Sequence, residues 1–316
     1  MKRSFSRQTP RNPDECWLRG EHLTALRAAG TDAHRLFSST EAWLERFGPD
    51  LLLSHKNDAA RDRVLAALPD WAAAHGLAYR RLFSKLLPRQ NEDRAAPVLL
   101  SGDAALPMET VVMESGMRFG LDFAAGYSAG LFIDQRPNRA FVRRAGVRRM
   151  LNTFAYTCSF SVAAAMEGAE TVSVDLSKKS IDRGRANFAL NALDTAAHRF
   201  IADDVLDVLP RLARRGEKFD AIILDPPTFS RGNKGRKWQV EHDFESLLLA
   251  ALDLAAPKAR VLLSTNCTRL DRRALEAIAR FCLKSARRAA TFHQEPPQPD
   301  VPAPFAAQTL WLCMGR

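Results

Sequence analysis

The chain has 316 residues, 46% of them hydrophobic and 26% charged, which allows two domains of ordinary size and a sizeable core. A net charge of +10 suits a polyanionic partner, nucleic acid ahead of a membrane surface. No apolar run approaches the roughly 18 to 20 residues of a membrane span, no secretory signal opens the chain, and the five widely spaced cysteines contain no C-x-x-C pair, so the prediction is a cytoplasmic protein with reduced thiols, no disulfides and no metal site.

The first residues form a basic, proline-containing arm. The spacing then predicts helical pieces over 21–29 and 41–47, a strand over 51–53, and a helix over 58–75 in which Val64, Leu65, Leu68, Trp71 and Ala72 recur at helical spacing. This reads as a small α/β domain, and the polar stretch 88–107 marks its end. We place the domains at 1–110, available for RNA docking, and 111–316. Two β-like runs, 118–123 and 128–134, flank Gly126 and predict a lead-in hairpin. Pro137 and Asn138 then open a helix, proline being favoured in a first turn.

From residue 148 strands and helices alternate. Strands are predicted over 150–154, 171–175, 199–202, 219–225 and 260–265, and helices over 159–167, 177–191, 205–214 and 271–284. Such alternation means β-α-β units and a doubly wound, Rossmann-like α/β sheet, with ligands outside the carboxyl ends of its strands. The runs 289–293 and 309–314 bracket a proline-rich loop and predict an edge hairpin.

Four of these strand ends carry polar groups. The turn 152–159 is small and polar and leads into a helix whose first N–H groups can meet a carboxylate. Asp175 is placed to accept the hydroxyls of a ribose, and Asp203, Asp204 and Val205 to read an adenine edge. Asp225 ends an apolar strand and is followed by Pro226 and Pro227, which lack N–H donors and leave the sheet rigidly. Singly, these residues read as helix caps and strand terminators: Ser159, Ser177 and Asp204 are good N-cap types. Together they describe a pocket for an adenosine bearing an amino acid.

In these residues the chain resembles the class I S-adenosylmethionine-dependent methyltransferases that modify bases of bacterial large-subunit ribosomal RNA. The resemblance runs from about residue 30 to the C-terminus. It is carried by Glu114-Ser115-Gly116-Met117, the run 130–136, the turn Asn152 to Thr157, Val174-Asp175-Leu176-Ser177, the run 187–191, Asp203-Asp204-Val205, and the run 219–229. It implies S-adenosylmethionine as cofactor, with Tyr156, Thr157 and Ser159 at its methionine part and Asp175 and Leu176 at the ribose. Asp204 and Val205 would meet the adenine, and Asp225 and Pro226 the reaction zone. Cys158 and Ser159 stand where the family usually has two glycines, which predicts a crowded backbone and weaker cofactor binding.

The resemblance points to two bases. Cys267 lies just past a strand end where cytosine-5 relatives carry a catalytic cysteine, whose thiolate adds to C6 so that C5 becomes nucleophilic. Guanine N7 needs no covalent help, and the run 225–230 together with Asn266 is closer to guanine-N7 relatives. The position of Cys267 tips the reading toward cytosine C5, with a buried core thiol as the plain alternative. Phe229 would stack on an extruded base. Arg231, Lys234 and Trp238 would track the strand. Arg136, in a basic run with Arg139, Arg143, Arg144, Arg148 and Arg149, would supply phosphate contacts. The leading function is therefore methylation of a large-subunit ribosomal RNA base. The alternatives are an RNA- or ribosome-binding protein that has lost turnover, and an amine methyltransferase acting on protein or small molecules. A homodimer stays open.

Overall fold

The computed structural model describes residues 15–87, 96–125, 128–231 and 237–315. Its first sheet runs, in spatial and chain order, β1 (Cys16–Trp17), β2 (Ala33–Ser38), β3 (Ala42–Phe47), β4 (Asp50–His55), β5 (Arg81–Leu86) and β6 (Val98–Ser101). Helix α1 (Gly20–Ala28) follows β1. Helix α2 (Asp58–Ala74), capped by the Asn57 side chain accepting from the Ala60 amide, crosses between the parallel pair β4 and β5. Side chains alternate along β3: Ala42 and Leu44 join Leu51, Leu53, Val64 and Leu68 in a core under α2, while Trp43 and Glu45 face away from it. The helix expected over 41–47 is thus a strand. Its apolar period is two, and Gly48, at φ +62°, supplies the turn that returns the chain antiparallel as β4.

The lead-in hairpin also differs from expectation. β8 (Met117–Asp122) pairs with β7 (Glu109–Glu114), through a turn in which Ser115 and Gly116 both have positive φ. Residues 128–134 are not its partner: they run as a loop into a short 3-10 turn at Ile133–Gln135, and the Thr157 hydroxyl donates to the Gly130 carbonyl at 2.6 Å. The Gly126 on which that expectation turned lies outside the described residues, as does the N-terminal basic arm.

The second sheet has the order β11 (Arg199–Ala202), β10 (Glu170–Asp175), β9 (Arg149–Thr153), β12 (Phe219–Leu224), β15 (Ala255–Thr265), β17 (Gln308–Met314), β16 (Ala290–His293). The first five are parallel, and β17 is antiparallel to both its neighbours. Helices α3 (Arg136–Arg144), α4 (Ser159–Ala165), α5 (Lys178–Leu190), α6 (Val205–Arg214), α7 (Val240–Leu252) and α8 (Arg272–Ser285) connect and cover it, and a small ribbon, β13 (Phe229–Arg231) with β14 (Lys237–Gln239), precedes α7. β12 is buried at every position but Asp220, as a central parallel strand covered on both faces must be. The chain leaves β9 toward β10 and β12 toward β15, so the order reverses between β9 and β12 and opens a crevice at their carboxyl ends. One buried cluster unites Phe47, Leu52 and Phe83 of the first sheet, Val112 and Phe119 of the hairpin, and Val162, Ile181 and Phe188 of α4 and α5.

Candidate active site

The crevice widens into a cavity of about 420 Å³, within the roughly 300–1,000 Å³ usual for small-ligand sites. Each wall comes from a strand end. Phe154 and Tyr156 follow β9, Asp175 to Ser177 end β10, Asp204 and Val205 follow β11, Asp225 to Pro227 follow β12, and Asn266 follows β15. Phe132, Asp134 and Gln135 close it from the loop before α3. Four aspartates line it, and no lysine, arginine or histidine is among its described lining residues. A cation fits such a field far better than an anion.

The β9 turn is strained. Phe154, Tyr156 and Cys158 have φ of 52°, 47° and 60°, in the left-handed region that side chains avoid. It is held from both ends: the Tyr156 amide donates to Asp175 Oδ2 at 2.8 Å, and the Tyr156 hydroxyl donates to the Ser128 carbonyl at 2.8 Å. Asn187 of α5 donates to the Thr157 carbonyl and accepts from the Gly120 amide, tying turn, helix and hairpin together. Stored strain of this kind is typical of ligand-binding turns.

Asp175 accepts from Tyr156 through one oxygen and from the Ser177 amide through the other, each of which has a second lone pair. Burial raises its pKa against these donors. Asp204 caps α6 by accepting from Leu206 N, so its structural role and its place in the cavity wall coincide. Leu176 is 44% exposed on the cavity wall, an apolar surface beside the carboxylate. Burial pushes Asp225 up to about 6, the Asp134 carboxylate adding to the effect and a Ser264 hydrogen bond opposing it. Behind Asp225 stands a buried polar chain: the Trp311 indole donates to Asn138, Asn138 to Gln135, and Gln135 to the Ser264 hydroxyl. The Trp238 indole donates to the Pro227 carbonyl at 2.8 Å and fixes the proline step.

Of the residues expected at the cofactor, Tyr156, Asp175, Leu176, Asp204, Val205, Asp225 and Pro226 share this cavity. Thr157 and Ser159 do not line it: Thr157 is buried on Gly130, and the Ser159 hydroxyl accepts from Arg139. Cys158 does not crowd it either. Its thiol points into the core against Gly184 of α5, where burial pushes it up to about 12.

The expected reaction and RNA groups fare differently. Cys267 is 4% exposed, belongs to the core packed around β12 and β15, and its thiol donates to Glu241 of α7 at 3.3 Å; its neighbour Asn266 takes the cavity wall instead. Arg136 is not a phosphate contact. It is buried and bidentate to Asp300 at 2.9 and 3.1 Å, with its Nη2 also donating to the Ala33 carbonyl of β2. The rest of the run is largely paired too: Arg139 with Glu114, Arg143 with Glu167, Arg144 with Glu295, Arg149 with Glu217. Acids distant in sequence neutralise a run that looks solitary along the chain. Phe229 is 66% exposed on β13, whereas Trp238, expected at RNA, is buried. Lys234 and the side chain of Arg231 lie outside the described residues.

Phe132, Gln135 and Phe154 escaped the sequence reading as site residues. Phe132 lies in the run 128–134, which reads as a strand, Gln135 just beyond it, and Phe154 at the end of the strand expected over 150–154.

A family model described as S-adenosylmethionine-dependent methyltransferase matches residues 15–309. The chain is similar to ribosomal RNA large subunit methyltransferase I of Salmonella arizonae, 35% identical over 259 residues that cover 76% of this chain and 61% of the relative. It is also similar to ribosomal RNA large subunit methyltransferase K/L of a Psychrobacter species, 40% identical over 166 residues, 51% of this chain and 20% of the relative. The chain thus spans less than two thirds of the length of these relatives. Among solved structures, a protein described as a methyltransferase and crystallised with SAH superposes with a TM-score of 0.79 and 26% identity, covering 92% of this chain and 78% of that one.

Proposed function

Because the chain belongs to the S-adenosylmethionine-dependent methyltransferase family, we propose that it methylates a base of large-subunit ribosomal RNA, with guanine N7 as the acceptor. The observation that carries the cofactor assignment is the cavity's charge: four aspartates and no described cation suit a ligand with a sulfonium and an ammonium against one carboxylate. Asp175 would accept from the ribose hydroxyls, Leu176 and Val205 would flank the adenine with Asp204 at its edge, and the Tyr156 turn would hold the methionine part. The bound cofactor supplies an electrophilic methyl group on a cationic sulfur. The protein's task is to position a base in line with it, and Asp225, Pro226 and Asn266 border that end.

RNA as substrate is supported by the relatives being ribosomal RNA large subunit methyltransferases and by the net charge of +10. The residues up to 110 serve in this reading as a docking domain. Guanine N7 is favoured over the cytosine C5 expectation because Cys267 is set in the core, while N7 carries its own lone pair. Methylation at N7 leaves a cationic purine, which Asp134 and Asp225 would stabilise as its charge develops. The test is incubation with labelled S-adenosylmethionine and ribosomal RNA from a strain lacking the protein, followed by mass spectrometry of the nucleosides. The expected product is 7-methylguanosine, retained in Cys267→Ala. Formation of 5-methylcytidine that disappears in Cys267→Ala would replace the acceptor by cytosine C5, and cofactor binding without any RNA labelling would reject the substrate class.

A further inference from the structure

A second cavity, of about 510 Å³, lies between the face of the first sheet turned away from α2 and the loop that enters α3. It meets the first cavity at Phe132, Asp134 and Asn266, which line both. Its charge is of a different kind. Arg35, Lys56 and Lys85 line it against Glu45 and Asp134, where the charged groups among the first cavity's described lining residues are all carboxylates. It also holds an aromatic platform: the Arg35 guanidinium lies 5.5 Å from the Trp43 ring centre. Arg35 donates from Nη2 to Glu45 at 3.1 Å, and its Nε has no hydrogen-bond partner among the described residues. A planar cation, a carboxylate and an indole on one sheet face offer donor, acceptor and stacking surface together, the set by which a nucleobase is read once it has left its stack.

We propose that this second cavity receives the extruded target nucleotide, its base against Trp43 and the Arg35–Glu45 pair and its phosphate toward Lys56 at the mouth. The inference rests on the RNA-methylation reading above. A base whose reactive atom must meet the methyl donor near Asp134 and Asn266 has to approach from the side away from the cofactor, and this cavity opens onto that junction. Its cations would offset the phosphate charge that the acidic cavity repels.

Saturation-transfer NMR with guanosine and cytidine 5′-monophosphates tests the site on the full chain in the presence of S-adenosylhomocysteine. Saturation should reach the base protons of guanosine monophosphate in the wild type and fall about tenfold in Trp43→Ala. Arg35→Lys, which keeps the charge and loses the planar fork, should weaken it as well. Calorimetric affinity for S-adenosylhomocysteine should stay unchanged in both variants, which shows that fold and cofactor cavity are intact. Transfer to neither mononucleotide, or transfer unaltered in both variants, overturns the proposal. Preference for cytidine monophosphate keeps the pocket and moves the acceptor to cytosine. Nucleotide binding without methyl transfer to ribosomal RNA keeps the pocket as a nucleotide site and rejects the methylation reading.

Discussion

The thiol of Cys158 occupies the space that a Cβ on Gly184 would need. Cys158 holds a left-handed conformation that glycine adopts at no cost, and its side chain is accommodated only because α5 presents a glycine opposite. The two positions are therefore coupled. Gly184→Ala should destabilise the fold by about 1–3 kcal/mol through overpacking. Cys158→Gly alone should shift stability by less than about 1 kcal/mol, relief of backbone strain offsetting lost packing. The double variant should recover most of the loss, and urea unfolding of the four proteins measures this. Strict additivity would refute the coupling.

Arg139 and Glu114 are both fully buried and bonded at 2.7 and 2.6 Å, joining α3 to the hairpin. Arg139→Met leaves the Glu114 charge buried and should destabilise by about 3–5 kcal/mol. Arg143→Ala, which breaks a partly exposed pair with Glu167, should cost no more than about 1 kcal/mol. Equal losses in the two variants, by the same denaturation measurement, would show that burial does not govern this basic run.

The second sheet was legible in the sequence because its signals are local. The strand over 199–202 and the helix over 205–214 coincide with the structure, since an apolar run, a capping aspartate and a helical stripe all lie within a few residues. The convergence of Asp175, Asp204 and Asp225 followed from one rule about parallel sheets. What stayed hidden depends on distant partners. β3 was read as a helix because its pairing with β4 and the division of its faces are not local facts. Arg136 looked free because Asp300 stands 164 positions away, and the orientations of Cys158 and Cys267 are set by Gly184 and Glu241 on other elements.

Asp175 couples the β9 turn to the proposed ribose site. Asp175→Ala removes an acceptor from the cavity and from the Tyr156 and Ser177 amides at once. The expected loss is about 10- to 100-fold in affinity for S-adenosylmethionine, as for loss of a hydrogen bond to a charged group. Calorimetry reads it directly, and a value within twofold of wild type would remove Asp175 from the cofactor site.

A pH effect on cofactor binding should come from Asp225. Its carboxyl, ordinarily near 3.8, is pushed up to about 6 by burial, with Asp134 adding to the effect. Between these values the folded protein holds a proton that the unfolded chain releases, so this group's contribution to stability falls as pH rises through that window. Cofactor binding should show the opposite trend. The ionised carboxylate attracts a cationic sulfonium, so affinity for S-adenosylmethionine should climb through a midpoint near pH 6, while that for S-adenosylhomocysteine, whose sulfur is neutral, should rise much less. Ser264→Ala withdraws a donor that favours the ionised form and should move the midpoint upward. Asp225→Asn should flatten the difference between the two ligands. Calorimetric titrations across this range decide the matter: a pH-dependent ratio of the two affinities that persists in Asp225→Asn would assign the titration to another group.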